Sequence, residues 1–263
     1  VIYDTVANTY EVTNDSSLDA VVCVSLADGR VGVAALAASG SVVIEPSSIA
    51  IDGDTPVLWF DAAVGKLASG SDCKIWPDKT GGPQKQGYAL RVAASSNLPA
   101  ILATDLNNLP AIEFASANSE GLRGERRLDL QGIGAFTAIG VSTGTIIDHG
   151  QGANNQTQFN VLSSGTTYFY AVSNGSAANG SDAGNNSYLV RTTIFDGSQA
   201  TNATRLVRRE NKTAQTVSFS GTIPATTESH ASSVFGMGKR SYSATFFNGK
   251  VAEFIVFGSA LSD

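Results

Sequence analysis

The side chains that could do chemistry in this chain are few and widely separated. His149 and His230 are the only histidines, and neither lies near a Gly-x-Ser-x-Gly sequence that would present a nucleophilic serine. Two isolated histidines without a grouping of cysteines also provide no zinc-binding pattern. The glutamates are scattered, and no predicted strand carries an acidic pair at positions i and i+2, the spacing that would place two carboxylates on one face. The sequence therefore predicts no catalytic residues and a protein that is not an enzyme.

The stretch Tyr168-Phe169-Tyr170 is the best candidate for binding a ligand. Side chains alternate along a strand, so Tyr168 and Tyr170 should share one face while Phe169 occupies the other. Aromatic rings stack on the faces of sugar rings, and two neighbouring phenols could line a groove that binds a glycan. The alternative is that the tyrosines cover the sheet and place only their hydroxyls at its rim.

Composition limits the class of protein. A chain of 263 residues with 42% hydrophobic and 15% charged residues can bury a full core, and its 27 glycines are typical of short strands joined by turns. A net charge of −6 opposes binding to phosphates, so we expect no nucleic-acid partner. The one basic cluster, Arg205, Arg208, Arg209 and Lys212, is interpreted as a solvated strand edge. No apolar run approaches the ~20 residues of a membrane helix, and no membrane insertion is expected.

Residues 1–45 form a separate block of short predicted strands. Asp28-Gly29 requires positive φ and predicts a two-residue hairpin turn between two of them. So few short strands bury little surface, and such a module would be marginally stable by itself. We therefore expect it to pack on the following domain, on a copy of itself or on a larger assembly. Residues 46–56, bracketed by prolines, are predicted to be a linker to a large domain at 57–263.

Within the large domain, two segments give specific predictions. Residues 251–257 are apolar on both faces of a strand, which predicts a central strand covered on both sides. Residues 172–188 contain almost nothing that could fill a core, which predicts a long exposed loop. Cys23 lies in an apolar run and is interpreted as a buried thiol; a disulfide with Cys73 is left open.

Five fragments, in order, resemble a known family. They are similar to the laminin G-like, concanavalin A-like jelly-roll domains of bacteria and phages. The matching fragments are Val57-Leu-Trp-Phe-Asp-Ala62; Ile75-Trp-Pro-Asp-Lys-Thr-Gly81; Leu109-Pro-Ala-Ile-Glu-Phe114 with Glu120-Gly-Leu-Arg-Gly124; Ile194-Phe-Asp-Gly-Ser198 with Arg205-Leu-Val207; and the last thirty residues, with the turn Asn248-Gly249 and the ending Ala260-Leu-Ser262.

The resemblance implies an all-β fold, a concanavalin A-like antiparallel β-sandwich (jelly roll), preceded here by a small N-terminal β module. Domains of this kind bind far more often than they catalyse. Trp59 and Trp76 belong to the matching motifs and should lie in the core, although Trp76, next to Pro77, has the better chance of a rim position and is a third candidate ligand-binding residue. Domains of this kind often hold a calcium ion at the rim, and Asp148 and Asp182 could be its ligands or could simply form turns. No cofactor other than calcium is expected.

These observations together predict a non-enzymatic surface protein of a virion, such as a phage decoration, fibre or tail-associated protein. The jelly roll would be displayed for attachment or particle stabilisation. Residues 1–45 would contact other structural proteins of the virion or surface, so that the chain is an oligomer or part of a larger assembly. The alternative is an extracellular or bacterial cell-surface carbohydrate-binding module or adhesin fragment that binds glycans. A hydrolase with an unfamiliar site is a third alternative.

Overall fold

The computed structural model describes most of the chain, and strands dominate it. The described residues are 2–4, 8–82, 88–92, 96–125, 130, 132–143, 147–151, 156–163, 166–173, 176–183, 187–227, 234–239, 246 and 248–262. For Tyr3 and for residues 147–183 only the backbone of the strands is described. The prediction of an all-β protein is confirmed.

The N-terminal strands are β1 (Ile2–Asp4), β2 (Thr9–Thr13), β3 (Ala20–Ser25), β4 (Val31–Leu36) and β5 (Ser41–Ile44). The strands that follow are β6 (Leu58–Asp61), β7 (Leu67–Ser69), β8 (Asp72–Pro77), β9 (Ala89–Val92), β10 (Ala100–Leu106), β11 (Leu109–Phe114), β12 (Leu122–Gly124), β13 (Ala135–Thr143), β14 (Ile147–Gln151), β15 (Gln156–Ser163), β16 (Thr166–Ser173), β17 (Ser176–Ala183), β18 (Leu189–Asp196), β19 (Leu206–Glu210), β20 (Thr213–Ala214), β21 (Ser218–Ser220), β22 (Val234–Met237) and β23 (Gly249–Phe257). Short helical turns occur at Ser116–Asn118 and Asn202–Arg205.

The N-terminal module consists of two layers. Strands β1, β2 and β5 form an antiparallel sheet, and β3 and β4 form a hairpin at the predicted place. Its turn is longer than the two residues predicted, because the Gly29 amide donates to the Leu26 carbonyl and only Gly29, at a φ of 87°, has positive φ. Val12 and Ile44 of the sheet pack against Leu36 of the hairpin. Every residue of β4 is buried, although successive side chains point to opposite faces. The hairpin must therefore be covered on its second face as well.

The second face of the hairpin packs on the domain that follows it. Val33 clusters with Ile49 and with Trp59, the latter on strand β6. The Ala35 amide donates a hydrogen bond of 2.9 Å to the Gly65 carbonyl, which fixes the hairpin against the turn after β6. The module is expected to pack on the domain that follows it, on a copy of itself or on a larger assembly, and the structure shows packing on the domain that follows it. Placing domain boundaries at residues 45 and 57 remains a prediction.

The remaining strands form a two-layer sandwich. One layer has the order β19-β18-β13-β23-β6, and the other contains β9-β12-β22-β14-β15-β16-β17-β21. The ring centroids of Phe60 on β6 and Phe235 on β22 lie 5.9 Å apart, so side chains of the two layers meet. Phe136, Phe195 and Phe254 complete a buried aromatic core. This arrangement confirms the antiparallel sandwich.

Strand β23 is central, as predicted, because it pairs with β13 on one side and with β6 and β11 on the other. Its side-chain alternation is not the simple one expected. The register with β13 shifts between Glu253 and Val251, which leaves Ala252 as the extra residue of a β-bulge. Val251 therefore points into the core together with Phe254, whereas Glu253 points outward.

The prediction of a long exposed loop at residues 172–188 is wrong for residues 176–183. Residues 176–183 form strand β17, which pairs with β16 on one side and β21 on the other. The small polar side chains of this segment indicated a loop, but a strand is defined by its backbone hydrogen bonds, which need no large side chain.

Candidate functional site

A groove of about 540 Å³ lies on the outer face of the layer that contains β13, β18 and β19. Ile139, Thr192 and Arg209 are register partners across these strands and point away from the core. We call this surface the basic groove. Its lining consists of Thr137, Ile139, Thr192, Ile194, Arg209, Lys212, Ala214, Leu261 and Ser262.

One wall of the basic groove is the C-terminal segment. The Thr137 hydroxyl donates to the Ser259 carbonyl at 3.0 Å and accepts from the Leu261 amide at 2.8 Å. These two bonds hold Leu261 over the sheet. The groove thus combines an aliphatic floor with two cationic side chains, Arg209 and Lys212. Such a surface suits a partner that is partly apolar and negatively charged.

The predicted solvated edge of basic residues is only partly correct. Arg208 is 3% exposed, and its Nη1 donates to the Thr193 hydroxyl at 2.6 Å. Arg205 donates to the carbonyls of Gln199 and Ile223. Strand alternation explains the difference, because it turns Arg208 inward and its neighbour Arg209 outward.

The predicted sugar-binding tyrosines lie on strand β16. Tyr168 pairs with Leu162 and Ser181, and Tyr170 pairs with Asn179. Two residues apart on one strand, they share a face, but their side chains fall outside the described part of the structure. Their role in binding remains a prediction.

The two predicted calcium donors lie on different strands. Asp148 is on β14 and Asp182 is on β17, three strands away. Three strand spacings correspond to about 14 Å, whereas oxygen ligands lie within ~2.6 Å of a calcium ion. One ion cannot take both residues as ligands. The side chains of Asp148 and Asp182 are not described, and His230, one of the two histidines, lies outside the described residues.

Trp76 lies in the core, as its motif implied; its alternative position at the rim, and with it a contact to a ligand there, is wrong. Its side chain is completely buried, its Nε1 donates to the Asp61 carbonyl at 3.0 Å, and its ring lies 5.6 Å from that of Phe60. The cause is its place on β8, where it faces the sandwich interior. The other motif tryptophan, Trp59, is the one that points outward, and it contacts the N-terminal module.

A cluster of charges beside Trp59 could not be found by spacing along the chain. Glu253 and Asp61 are cross-strand partners on β23 and β6, so two carboxylates meet although they are 192 positions apart. The Trp59 Nε1 donates to Glu253 Oε1 at 2.7 Å, while Lys79 lies 3.9 Å from the Trp59 ring centre and 3.5 Å from Asp61 Oδ2. Burial raises the pKa of Glu253, and the nearby Asp61 charge adds to the increase, against the opposing effects of Trp59 and Lys79.

This cluster has a structural explanation. Each carboxylate already has a partner, and Trp59 joins the cluster to the hydrophobic contact with the module. Within the described part of the chain, no three histidine, cysteine, aspartate or glutamate side chains are grouped as a metal site would require. Nor does any helix among the described residues have the length and apolarity to cross a membrane.

Comparison with known proteins supports the fold. No family model and no curated protein matches the chain. Among solved structures, the binding domain of botulinum neurotoxin DC in complex with SialylT has a TM-score of 0.51, with 10% identity over 79% of this chain and 48% of the toxin chain. The same domain in complex with rat synaptotagmin II has a TM-score of 0.52, also with 10% identity, over 79% of this chain and 49% of that one.

This chain therefore spans about half the length of the toxin binding domains it matches. A sialidase from Trypanosoma rangeli matches more weakly, with a TM-score of 0.48 and 7% identity over 92% of this chain and 42% of the sialidase. The likeness to the toxin binding domains concerns the β-sandwich alone. Assignment to the laminin G-like, bacterial and phage type remains a prediction.

Proposed function

We propose that this chain is a non-enzymatic surface protein that displays a lectin-like jelly roll and attaches through its N-terminal module, as a decoration, fibre or tail-associated protein of a phage particle would. The observation that carries this proposal is the layered N-terminal module. One face of its hairpin packs against the jelly roll, and the outer face of its sheet of β1, β2 and β5 is exposed. A module built in this way can hold the jelly roll while contacting something else.

The interior of the sandwich favours binding over catalysis. The core is filled by aromatic side chains such as Phe60 and Phe136. Of the two neighbouring carboxylates described above, Glu253 accepts a hydrogen bond from Trp59 and Asp61 forms an ion pair with Lys79. A recognition function would then use the outer faces and loops of the sandwich. The similarity in fold to toxin binding domains, solved with SialylT and with synaptotagmin II, is compatible with such a use.

The attachment role can be tested by identifying the neighbours of residues 1–45 in the native particle. This segment contains six carboxylates and no lysine, so a carbodiimide would couple it to lysines of adjacent proteins. We expect cross-links from carboxylates of residues 1–45 to another structural protein or to a second copy of this chain, found by mass spectrometry of purified particles that contain a mixture of isotope-labelled and unlabelled copies. Particles that contain the chain but yield only cross-links within single copies would argue against attachment through this module.

Glycan recognition by Tyr168 and Tyr170 is a second function, favoured by their placement two residues apart on β16. It would place the protein at a bacterial cell surface or outside the cell. A glycan array should give binding by the full chain that is lost in Tyr168→Ala and Tyr170→Ala. The matched controls Tyr168→Phe and Tyr170→Phe keep the ring and should retain most of the binding. Equal binding by the alanine variants would exclude these tyrosines.

A further inference from the structure

The charge of this protein is distributed very unevenly. Residues 1–45 contain six acidic side chains and one arginine, a net charge of −5 within a chain whose total is −6. The jelly roll is thus close to neutral overall, and it carries a pair of cations in the basic groove. The molecule has an acidic end and a cationic surface.

The acidic end has a specific exposed face. On the sheet of β1, β2 and β5, Ile2, Glu11 and Val43 are register partners in one row. Ile2 is 67% exposed and Val43 63%, which is unusual for large aliphatic side chains. Asp4 and Glu45 are exposed beside them. We call these five residues the acidic face.

The basic groove has the complementary character. It is lined by aliphatic side chains from Ile139, Ile194 and Leu261 and by the cationic side chains of Arg209 and Lys212. The row from Ile139 through Thr192 to Arg209 crosses three adjacent strands, as does the row from Ile2 through Glu11 to Val43. Both rows are therefore about 10 Å wide, and each places charge next to aliphatic surface.

Both surfaces face the same side of the molecule. Ile139, Ile255 and Trp59 are register partners that point outward from one layer of the sandwich. The hairpin covers Trp59, and the acidic face is the outer surface of the sheet stacked on that hairpin. When two complementary patches share one side of a protein, a two-fold rotation can bring each patch of one copy onto the other patch of its partner.

We propose that the chain forms a symmetric dimer in which the acidic face of each copy seats in the basic groove of the other. This inference rests on the proposed assembly role of residues 1–45 and names their partner as a second copy. Opposite charges select this pairing over contacts between like patches, and the aliphatic side chains of both surfaces leave water on contact.

A charge exchange between two full-length variants tests the pairing. One variant carries Glu11→Lys and Glu45→Lys, and the other carries Arg209→Glu and Lys212→Glu. Each variant by itself should dimerise more weakly than the natural chain, because its two patches then have the same sign. An equimolar mixture should dimerise, because both contacts of the mixed pair are again between opposite charges. The matched control is Arg91→Glu with Arg123→Glu, which makes the same change in charge at two exposed positions on the other layer and should dimerise like the natural chain.

Analytical ultracentrifugation over a range of concentrations gives the readout, with circular dichroism to verify folding. We expect a dissociation constant at least ~10-fold weaker for each charge variant than for the natural chain, recovered in the mixture and weakened by salt. A natural chain that remains monomeric at ~100 µM, or a mixture no more associated than its components, would overturn the proposal. So would species larger than dimers. The two tests fail in different ways: a chain that dimerises in solution but gives no cross-link to another structural protein supports this pairing and opposes the role on a particle.

Discussion

Gly65 sits where the N-terminal module meets the jelly roll, and substituting it should loosen that contact. Its φ of 68° lies in the left-handed region, and a Cβ added there would come within 2.6 Å of the Val33 carbonyl oxygen. Gly70 has a similar φ of 64° but nothing within 4 Å of an added Cβ. Gly65→Ala and Gly70→Ala therefore share the same backbone strain and differ only in the collision with the module.

The expected magnitudes follow from this difference. A left-handed alanine costs about 1–2 kcal/mol, which is all that Gly70→Ala should lose. Gly65→Ala must in addition displace a backbone oxygen, and overpacking of that kind costs about 1–3 kcal/mol more. Urea unfolding gives both free energies, and hydrogen exchange at the Ala35 amide, which donates to Gly65, reports the contact itself. Equal losses for the two variants, with unchanged exchange at Ala35, would refute the docking contact described here.

Three further predictions concern single side chains. Glu253→Gln should stabilise the protein at pH 7, because the raised pKa of Glu253 means that folding penalises its ionised form. The natural chain gains stability as the pH falls through that raised pKa toward the ordinary value of 4.5. The free energies of unfolding of the two proteins, measured against pH, should therefore converge near that value. Burial raises the pKa of the Cys73 thiol from 9.0 to about 12, so Cys73 should resist iodoacetamide in the native protein and react only in urea. The half-buried Cys23 should react first, as peptide mapping would show. Equal rates of reaction for the two thiols in the native protein would contradict the burial of Cys73. Phe60→Ala should cost about 3–5 kcal/mol in urea unfolding because its ring is fully buried, whereas Val43→Ala, at an exposed position, should cost little; a small loss at Phe60 would contradict the packed core.

Much of the fold could be predicted from local patterns. The turn at Asp28-Gly29 and the central position of residues 251–257 depend on short-range signals, namely a residue able to adopt positive φ and a run of apolar side chains on both faces. Strand 176–183 could not be predicted, because its identity depends on hydrogen bonds to β16 and β21 rather than on its own side chains.

The candidate site was harder to predict than the fold. The basic groove requires knowing that Arg209 points outward while Arg208 points inward, and that Leu261 folds back over Thr137. The pairing of Glu253 with Asp61 depends on a strand contact across most of the chain. That Trp76 lies in the core while Trp59 contacts the N-terminal module likewise depends on the face of the sheet on which each side chain lies. Spacing along the chain carries none of this information.

The pairing of β6 with β23 also determines when the protein can fold. Leu58 lies opposite Val256, so the layer cannot close until β23, 198 positions further along the chain, has left the ribosome. Contacts this distant in sequence make folding slow, and until β23 arrives the apolar edges of β6 and β13 are without their partner. Loss of β23 would therefore remove the strand that joins the two halves of the layer, and a nascent chain leaves both apolar edges open to aggregation until this strand has been synthesised.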